Sequence, residues 1–147
     1  MSYNLFLDDF RSLSDAHSYT YYPPYATKDW VIVRSYDEFV KYIEEHGVPE
    51  MVSFDHDLAD EHYNFQSDIQ YDDYQEKTGF HCARWLIYYC LDNDKKLPPV
   101  IMIHSMNKVG AENIKSLFDT FNKVHENNPP YFKPNPSLDI DPPELFQ

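Results

Sequence analysis

The chain has 147 residues, 42% of them hydrophobic, which suits a single domain with its own core and excludes a multidomain machine. With 12 lysines and arginines against 25 acidic residues, its formal net charge of −13 repels phosphate backbones, so we expect no long nucleic acid among its partners. Aromatic residues make up 17% of the chain, and this content favours a folded protein over a disordered one.

The cysteines and the apolar runs indicate where the protein works. Cys82 and Cys90 lie at helical spacing in an apolar stretch, which predicts buried, reduced thiols rather than a disulfide. No apolar run approaches the roughly 20 residues of a membrane helix, and the N-terminus is too acidic for a signal peptide. We therefore expect a cytoplasmic protein without a membrane partner, while its oligomeric state has no signature in the sequence.

Four short apolar runs, rich in β-branched and aromatic residues, predict strands that are covered on both faces. They are 3–7, 30–33, 51–54 and 100–103. The shorter run 131–133 is a candidate fifth strand.

Helical patterns lie between these strands. Ser35 and Glu38 match a capping box that starts a first helix, and Gly47 ends it. A second helix is expected to begin at Thr78, and a third to cover 111–124. Strands that alternate with helices predict an α/β fold, with a doubly wound, mostly parallel sheet of four or five strands and helices on both faces.

Three segments interrupt this alternation within one expected domain spanning 1–147. Segment 12–28 has a Pro-Pro pair and little helical periodicity, and 60–77 is acidic and rich in tyrosine. Both follow a strand, so each is expected to be a loop insertion on the ligand-binding face, acting either as a lid or as solvated decoration. The proline-rich segment 129–147 predicts an extended tail.

Polar residues follow three of the predicted strands directly, at 8–11, 55–57 and 104–107. In a doubly wound sheet of order 2-1-3-4-5, strands one, three and four are neighbours, so these groups are expected to meet at the carboxyl edge. An acid pair after a strand also serves simply to cap a turn. Several carboxylates and two imidazoles in one pocket repel one another unless a cation lies among them, so the pattern predicts a divalent metal.

The residues around that expected metal suggest further roles. Since alternate side chains of an extended segment point the same way, Asp55 and Asp57 are expected to face one site and His56 another. His104 is either a hydrogen-bonded core residue or an acid/base, and its place opposite the carboxylates favours the second.

Arginine and small polar residues are the candidates for binding phosphate. Arg11 suits a bidentate clamp on phosphate, with a salt bridge to a neighbouring acid as the equal alternative. Ser105 is a candidate for binding a phosphoryl oxygen, and Asn107 either does the same or caps the third helix.

Four motifs, taken in order, resemble the cyclic-phosphate processing receiver domain family. They are LFLDDFR at 5–11, SFDHDL at 53–58, Thr78-Gly79, and HSMN at 104–107 with Gly110. The resemblance implies a receiver-like domain in which the acids 8–9 hold a divalent ion. It implies that Asp55 occupies the position of a receiver's phosphate-accepting aspartate, and Ser105 that of the Ser or Thr after strand four. It also implies that the added His56 and His104 turn this site toward phosphoester hydrolysis.

Our leading hypothesis is therefore a metal-dependent phosphoesterase for a small, nucleotide-like cyclic phosphate, either a nucleoside 2′,3′-cyclic phosphate or one derived from ADP-ribose. Asp8, Asp9 and Asp55 are the expected ligands of the ion, with Mg or Mn favoured over Zn. His56 or His104 is expected to transfer protons at the reacting phosphate.

Two alternatives remain open from the sequence. The Asp-x-Asp pattern of a haloacid-dehalogenase-like phosphatase would make Asp55 a covalent nucleophile and Asp57 its acid/base. A degenerate receiver without activity would instead bind a nucleotide or a protein partner. Signalling by phosphotransfer is disfavoured, because only Lys133 is placed to supply the lysine of a signalling receiver.

Overall fold

The computed structural model describes residues 2–58, 77–125 and 131–133. The strands are β1 (Asn4–Leu7), β2 (Val31–Val33), β3 (Met51–Phe54), β4 (Val100–Ile103) and β5 (Tyr131–Lys133). The helices are α1 (Leu13–Thr20), α2 (Pro24–Thr27), α3 (Tyr36–His46), α4 (Gly79–Asp92) and α5 (Lys108–His125).

The strands form one parallel sheet in the order β2-β1-β3-β4-β5. This order confirms the predicted doubly wound α/β architecture. It also makes β1, β3 and β4 neighbours, so their carboxyl ends lie side by side.

Side chains that alternate along the strands build a core on each face of the sheet. Leu5, Leu7 and Phe54 belong to the larger core, which packs under α3, α4 and α5. Phe6 and Met102 point to the opposite face, where α1 and α2 cover a smaller, aromatic core. Helices therefore cover both faces, as predicted.

The predicted element boundaries hold closely. Segments 51–54, 100–103 and 131–133 are strands as predicted, and the first two predicted strands each begin one residue later than expected. Ser35 caps α3 by accepting from the amide of Glu38, but the Glu38 carboxylate accepts from the amide of Arg34 instead of closing the capping box.

The prediction of an irregular loop over 12–28 was wrong, because α1 and α2 occupy most of this segment. A complete capping box starts α1: Ser12 Oγ accepts from the amide of Asp15, and the Asp15 carboxylate accepts from the amide of Ser12. The apolar face was missed because Ala16 and Thr20 are its only buried residues. The helix ends at Tyr21, which adopts a left-handed φ of 59°.

The other two irregular segments fall largely outside the described residues. Of the predicted insertion 60–77 only Lys77 is described, and of the predicted tail 129–147 only β5. Within the described ranges, no helix is both long and apolar enough to cross a membrane.

Both cysteines are buried, free thiols on α4, as predicted. Burial raises the pKa of both, that of Cys90 to about 11. Since the thiolate is the reactive form, this environment favours a packing role.

Replacement of Ser12 by alanine tests how much the capping box stabilises α1. Ser12→Ala should lower the free energy of unfolding by about 1 kcal/mol, because the amide of Asp15 loses its acceptor at the helix start. The matched control is Ser14→Ala, an equally exposed serine two residues along the same helix, which should change stability by less than about 0.5 kcal/mol. Urea unfolding of both variants measures the difference, and equal effects would contradict the assignment.

Candidate functional site

The ends of three neighbouring strands place Asp8, Asp55 and His104 side by side. Leu7 pairs with Phe54, and Phe54 with Ile103, so the three polar residues occupy the next position of each strand. The strand ladder continues into them, because the amide of Asp55 donates to Leu7 at 2.9 Å and that of His104 to Phe54 at 2.9 Å. The predicted convergence at the carboxyl edge of the sheet is thus present.

Three carboxylates crowd together at this edge. Asp8, Asp9 and Asp55 each offer an oxygen, and these oxygens lie within 4.8 Å of one another. At that separation each pair of charges repels by about 3–4 kcal/mol at an effective dielectric of about 20. Burial, followed by the charge of Asp8, raises the pKa of Asp55 well above its ordinary value.

One oxygen of Asp55 lacks a partner. Asp55 is 1% exposed, and its Oδ1 accepts from the amide of His56 at 2.8 Å. Its Oδ2 is buried and has no hydrogen-bond partner within the part of the chain that the structure describes. Because buried polar atoms are normally satisfied, this oxygen is suited to bind a cation or to carry a proton. Asp8, Asp9 and Asp55 are therefore the residues that fit a metal ion.

The Asp8 carboxylate is held in one orientation. Its Oδ1 accepts from the amides of Phe10 and Arg11 at 3.0 and 2.8 Å, and its Oδ2 lies 3.0 Å from Nε2 of His104. Burial raises the pKa of Asp8, but the hydrogen bond and charge of His104 and the two amides outweigh it, so the pKa lies below the ordinary value. Asp8 therefore stays ionised while Asp55 resists ionisation.

Two arginines organise the loop that carries these acids. Arg34, directly after β2, donates from Nη1 to the carbonyls of Asp8 and Arg11 at 3.1 and 2.7 Å. The Arg11 guanidinium lies over the rings of Phe10 and Tyr19, with centroid distances of 5.2 and 5.5 Å. Its Nη1 is 3.9 Å from Asp8 Oδ2, so the predicted salt bridge is present, though long. Arg11 thus supplies a positive charge at the rim of the acid cluster.

His104 lies behind Asp8 and is fully buried. Its Nδ1 is 2.7 Å from Ser53 Oγ, and its ring stacks on Phe6 with a centroid distance of 4.3 Å. The Tyr19 hydroxyl donates to the His104 carbonyl, which ties α1 to the end of β4. Burial lowers the pKa of His104 despite the neighbouring Asp8. Both ring nitrogens contact protein groups, so the geometry favours the hydrogen-bonded core alternative over direct proton transfer to a ligand.

His56, Asp57 and Asn107 form a second polar group on the other side of the β3 end. His56 Nδ1 lies 2.7 Å from Asp57 Oδ1, which also accepts from Asn107 Nδ2 at 3.0 Å. Asp57 lies outside the cluster of three carboxylates, although its charge is among the causes that raise the pKa of Asp55. That Asp55 and Asp57 face one site stays a prediction.

Asn107 and Ser105 have defined structural partners. Asn107 Oδ1 accepts from the amide of Gly110 at 3.0 Å, so Asn107 caps α5. This cap is one of the two roles predicted for Asn107. Ser105 Oγ accepts from the amide of Asn107 at 3.1 Å and is buried. A role of either residue in binding phosphate stays a prediction.

Two glycines let helices approach the site closely. A Cβ on Gly79 would lie 1.7 Å from the carbonyl oxygen of Asp55, and a Cβ on Gly110 would lie 2.3 Å from the His56 ring. The first turns of α4 and α5 therefore pack directly on Asp55 and His56.

Sequence reasoning missed three residues that shape the site: Tyr25, Arg34 and Ser53. Ser53 was detectable as the one polar residue inside the apolar run 51–54. Arg34 was detectable by its place directly after a strand, as were the predicted residues. Tyr25 had no usable signal, since its segment was interpreted as a loop.

The family model described as cyclic-phosphate processing receiver domain matches residues 3–120. No curated protein and no solved structure matches the chain.

Replacement of Asp55 by asparagine tests the electrostatic strain in the metal-free protein. A carboxyl whose pKa is raised on folding favours the folded state below its ordinary pKa of 3.8, and this contribution is lost as the pH rises through the raised value. The stability gain of Asp55→Asn over wild type should therefore grow above about pH 4, by up to about 1.4 kcal/mol per pH unit.

Urea unfolding in the presence of a chelator, repeated across pH, measures this gain. Asp119→Asn is the control, because it makes the same chemical change at an exposed position of α5. A stability gain for Asp55→Asn that does not change with pH would contradict the raised pKa of Asp55.

Proposed function

This chain belongs to the cyclic-phosphate processing receiver domain family, and we propose that it is a metal-dependent phosphoesterase acting on a small cyclic phosphate. The substrate class is a nucleoside 2′,3′-cyclic phosphate or a cyclic phosphate derived from ADP-ribose. The buried, unpartnered Oδ2 of Asp55, beside Asp8 and Asp9, supports the proposal most directly.

The donor set of the acid cluster suits a hard divalent ion. Asp8, Asp9 and Asp55 offer only carboxylate oxygens, the ligands that Mg and Mn prefer and that favour them over Zn. When bound, such an ion polarises phosphoryl oxygens and lowers the pKa of water. The hydrogen bonds to Asp8 hold its oxygens in place for this task without movement.

Arg11 is the proposed phosphate-binding residue of the site. Its guanidinium is always charged, lies beside the acid cluster and is fixed by the Phe10 and Tyr19 rings. A planar guanidinium binds two phosphoryl oxygens at once and so orients the ester for attack. Ser105 and Asn107 are secondary candidates, because their side chains already bond to backbone amides.

Proton transfer is assigned to His56 and Asp57. The Asp57 carboxylate lies 2.7 Å from His56 Nδ1, and both residues are buried outside the acid cluster. In this role Asp57 orients the ring and holds its tautomer, and His56 Nε2 is the nitrogen that exchanges the proton. An imidazole held by a carboxylate is an effective general acid or base near neutral pH.

Charge and exposure around the site favour a small ligand. The net charge of −13 repels long polyanions, whereas a single phosphate is attracted by a bound cation and Arg11. Phe10 is 61% and Met106 47% exposed, and both lie in the loops that follow β1 and β4. Apolar side chains at that edge suit the base or sugar of a nucleotide.

The two hydrolytic alternatives differ in the role of Asp55. A haloacid-dehalogenase-like mechanism makes Asp55 the nucleophile and needs Asp57 to exchange protons at the reacting phosphate. Asp57 contacts His56 and Asn107 outside the three-carboxylate cluster, and its charge is among the causes that raise the pKa of Asp55. We propose attack by water because Asp55 is assigned to the cation with Asp8 and Asp9, and the adduct experiment below separates the two mechanisms.

Incubation with a panel of cyclic phosphates, with Mg, with Mn and with chelator, tests the proposal. We expect ring opening that depends on the added metal and falls at least about 100-fold in Asp55→Asn, with Asp119→Asn unchanged as the control. Stoichiometric binding without turnover would contradict the proposal and identify a binding module. A trapped beryllofluoride adduct on Asp55 together with monoester turnover would favour the phosphatase alternative.

A further inference from the structure

We propose that Tyr25, Ser53 and His104 form a one-way chain of hydrogen bonds that positions the Asp8 carboxylate for a cation. These roles rest on the proposed metal site and add three positioning residues to it. They also give the α1 and α2 segment a function other than the two alternatives expected from the sequence, a lid or solvated decoration.

The contacts of the chain are short and continuous. The Tyr25 hydroxyl lies 2.6 Å from Ser53 Oγ, and Ser53 Oγ lies 2.7 Å from His104 Nδ1. His104 Nε2 then lies 3.0 Å from Asp8 Oδ2. All four side chains are buried, with Tyr25 the most exposed at 4%.

Donor chemistry sets the direction of the chain. The Asp8 carboxylate only accepts, so His104 Nε2 must carry a hydrogen. In a neutral ring Nδ1 then accepts, which makes Ser53 its donor. Ser53 has one hydrogen, so its oxygen accepts from Tyr25. Each hydrogen thus has one place, and the chain fixes a single tautomer of His104.

Packing keeps the chain rigid. The His104 ring stacks on Phe6 with an interplanar angle of 9°, and Tyr25 meets the same His104 ring edge-on at 6.2 Å. Ser53 pairs in register with Phe6 on one side and Met102 on the other, in the middle of the sheet. The bond from His104 and the two amides on Oδ1 leave the Asp8 carboxylate no freedom to rotate.

A purely structural role would not need these polar groups. A buried hydroxyl without a hydrogen-bond partner destabilises the folded state by about 1–3 kcal/mol. An apolar side chain in place of Ser53, at the middle of β3, would need no such partner. The polar chain runs from α2 to the acid cluster and ends on Asp8. Partners that orient a metal ligand typically change metal affinity by about 10–100-fold when removed.

Nitrogen NMR of histidine-labelled, metal-free protein tests the direction of the chain without any metal. We expect His104 as a neutral ring with its proton on Nε2. In Ser53→Ala the proton should stay on Nε2, which still faces Asp8, while the Nδ1 signal shifts because that nitrogen loses its hydrogen-bond donor. The His104 signals are identified by their loss in His104→Gln or by their shift in Ser53→Ala. A proton on Nδ1 in the wild-type protein would overturn the proposed direction.

Titration with Mn²⁺ alone tests the effect on the site. Ser53→Ala should weaken Mn²⁺ binding by roughly 10-fold, and Tyr25→Phe by less because it acts one bond further away. Tyr22→Phe is the matched control, since it removes a hydroxyl from the same aromatic core and should leave Mn²⁺ binding unchanged. Thermal unfolding of each variant confirms that it folds.

The possible results separate the two proposals. Tight Mn²⁺ binding by wild type with unchanged affinity in Ser53→Ala would overturn the positioning chain and leave the metal site standing. Failure of the wild type to bind Mn²⁺ would overturn the metal site itself. Weakened binding in Ser53→Ala together with the Nε2 tautomer supports both.

Discussion

Mutual repulsion among three carboxylates is the constraint to which the rest of the site responds. Asp8, Asp9 and Asp55 are brought together by the backbone, because parallel pairing of β1 with β3 leaves their first polar residues at one edge. The repulsion acts most strongly on Asp55, whose pKa is raised by burial and by the charge of Asp8. Neutralisation by a proton costs the site its charge, whereas a divalent cation relieves the repulsion and keeps all three oxygens as ligands.

The two faces of the sheet contribute different groups to this edge. On the α1 and α2 side, Ser53 and His104 lie directly below Asp8 and hold one of its oxygens. On the α5 side, His56 and Asp57 form a separate pair that Asn107 holds against the helix start. We propose that the first face fixes a metal ligand and the second moves a proton, so that rigidity and acid–base chemistry do not compete for one residue.

The sheet and the meeting of its strand ends were predictable, because continuous apolar runs and capping patterns are local signals. The segment 12–28 was not, since α1 buries few apolar residues and depends on a Ser12–Asp15 capping box. The acids 8, 9 and 55 were predicted together as metal ligands, whereas the contacts of Asp57 with His56 and Asn107 were not predicted. Where a side chain points after a strand ends depends on loop conformation, which strand alternation does not determine. Ser53 is a different case. As a polar residue within an apolar strand it indicates a buried hydrogen bond, but only the fold identifies Tyr25 and His104 as its partners.

Anomalous diffraction from crystals of the full chain grown with Mn²⁺ tests the central claim most directly. The account predicts a strong manganese peak in contact with carboxylate oxygens of Asp8, Asp9 and Asp55, and loss of that peak in Asp55→Asn. Manganese found only at exposed acidic residues, with the Asp55 carboxyl protonated and no ion beside it, would contradict the account.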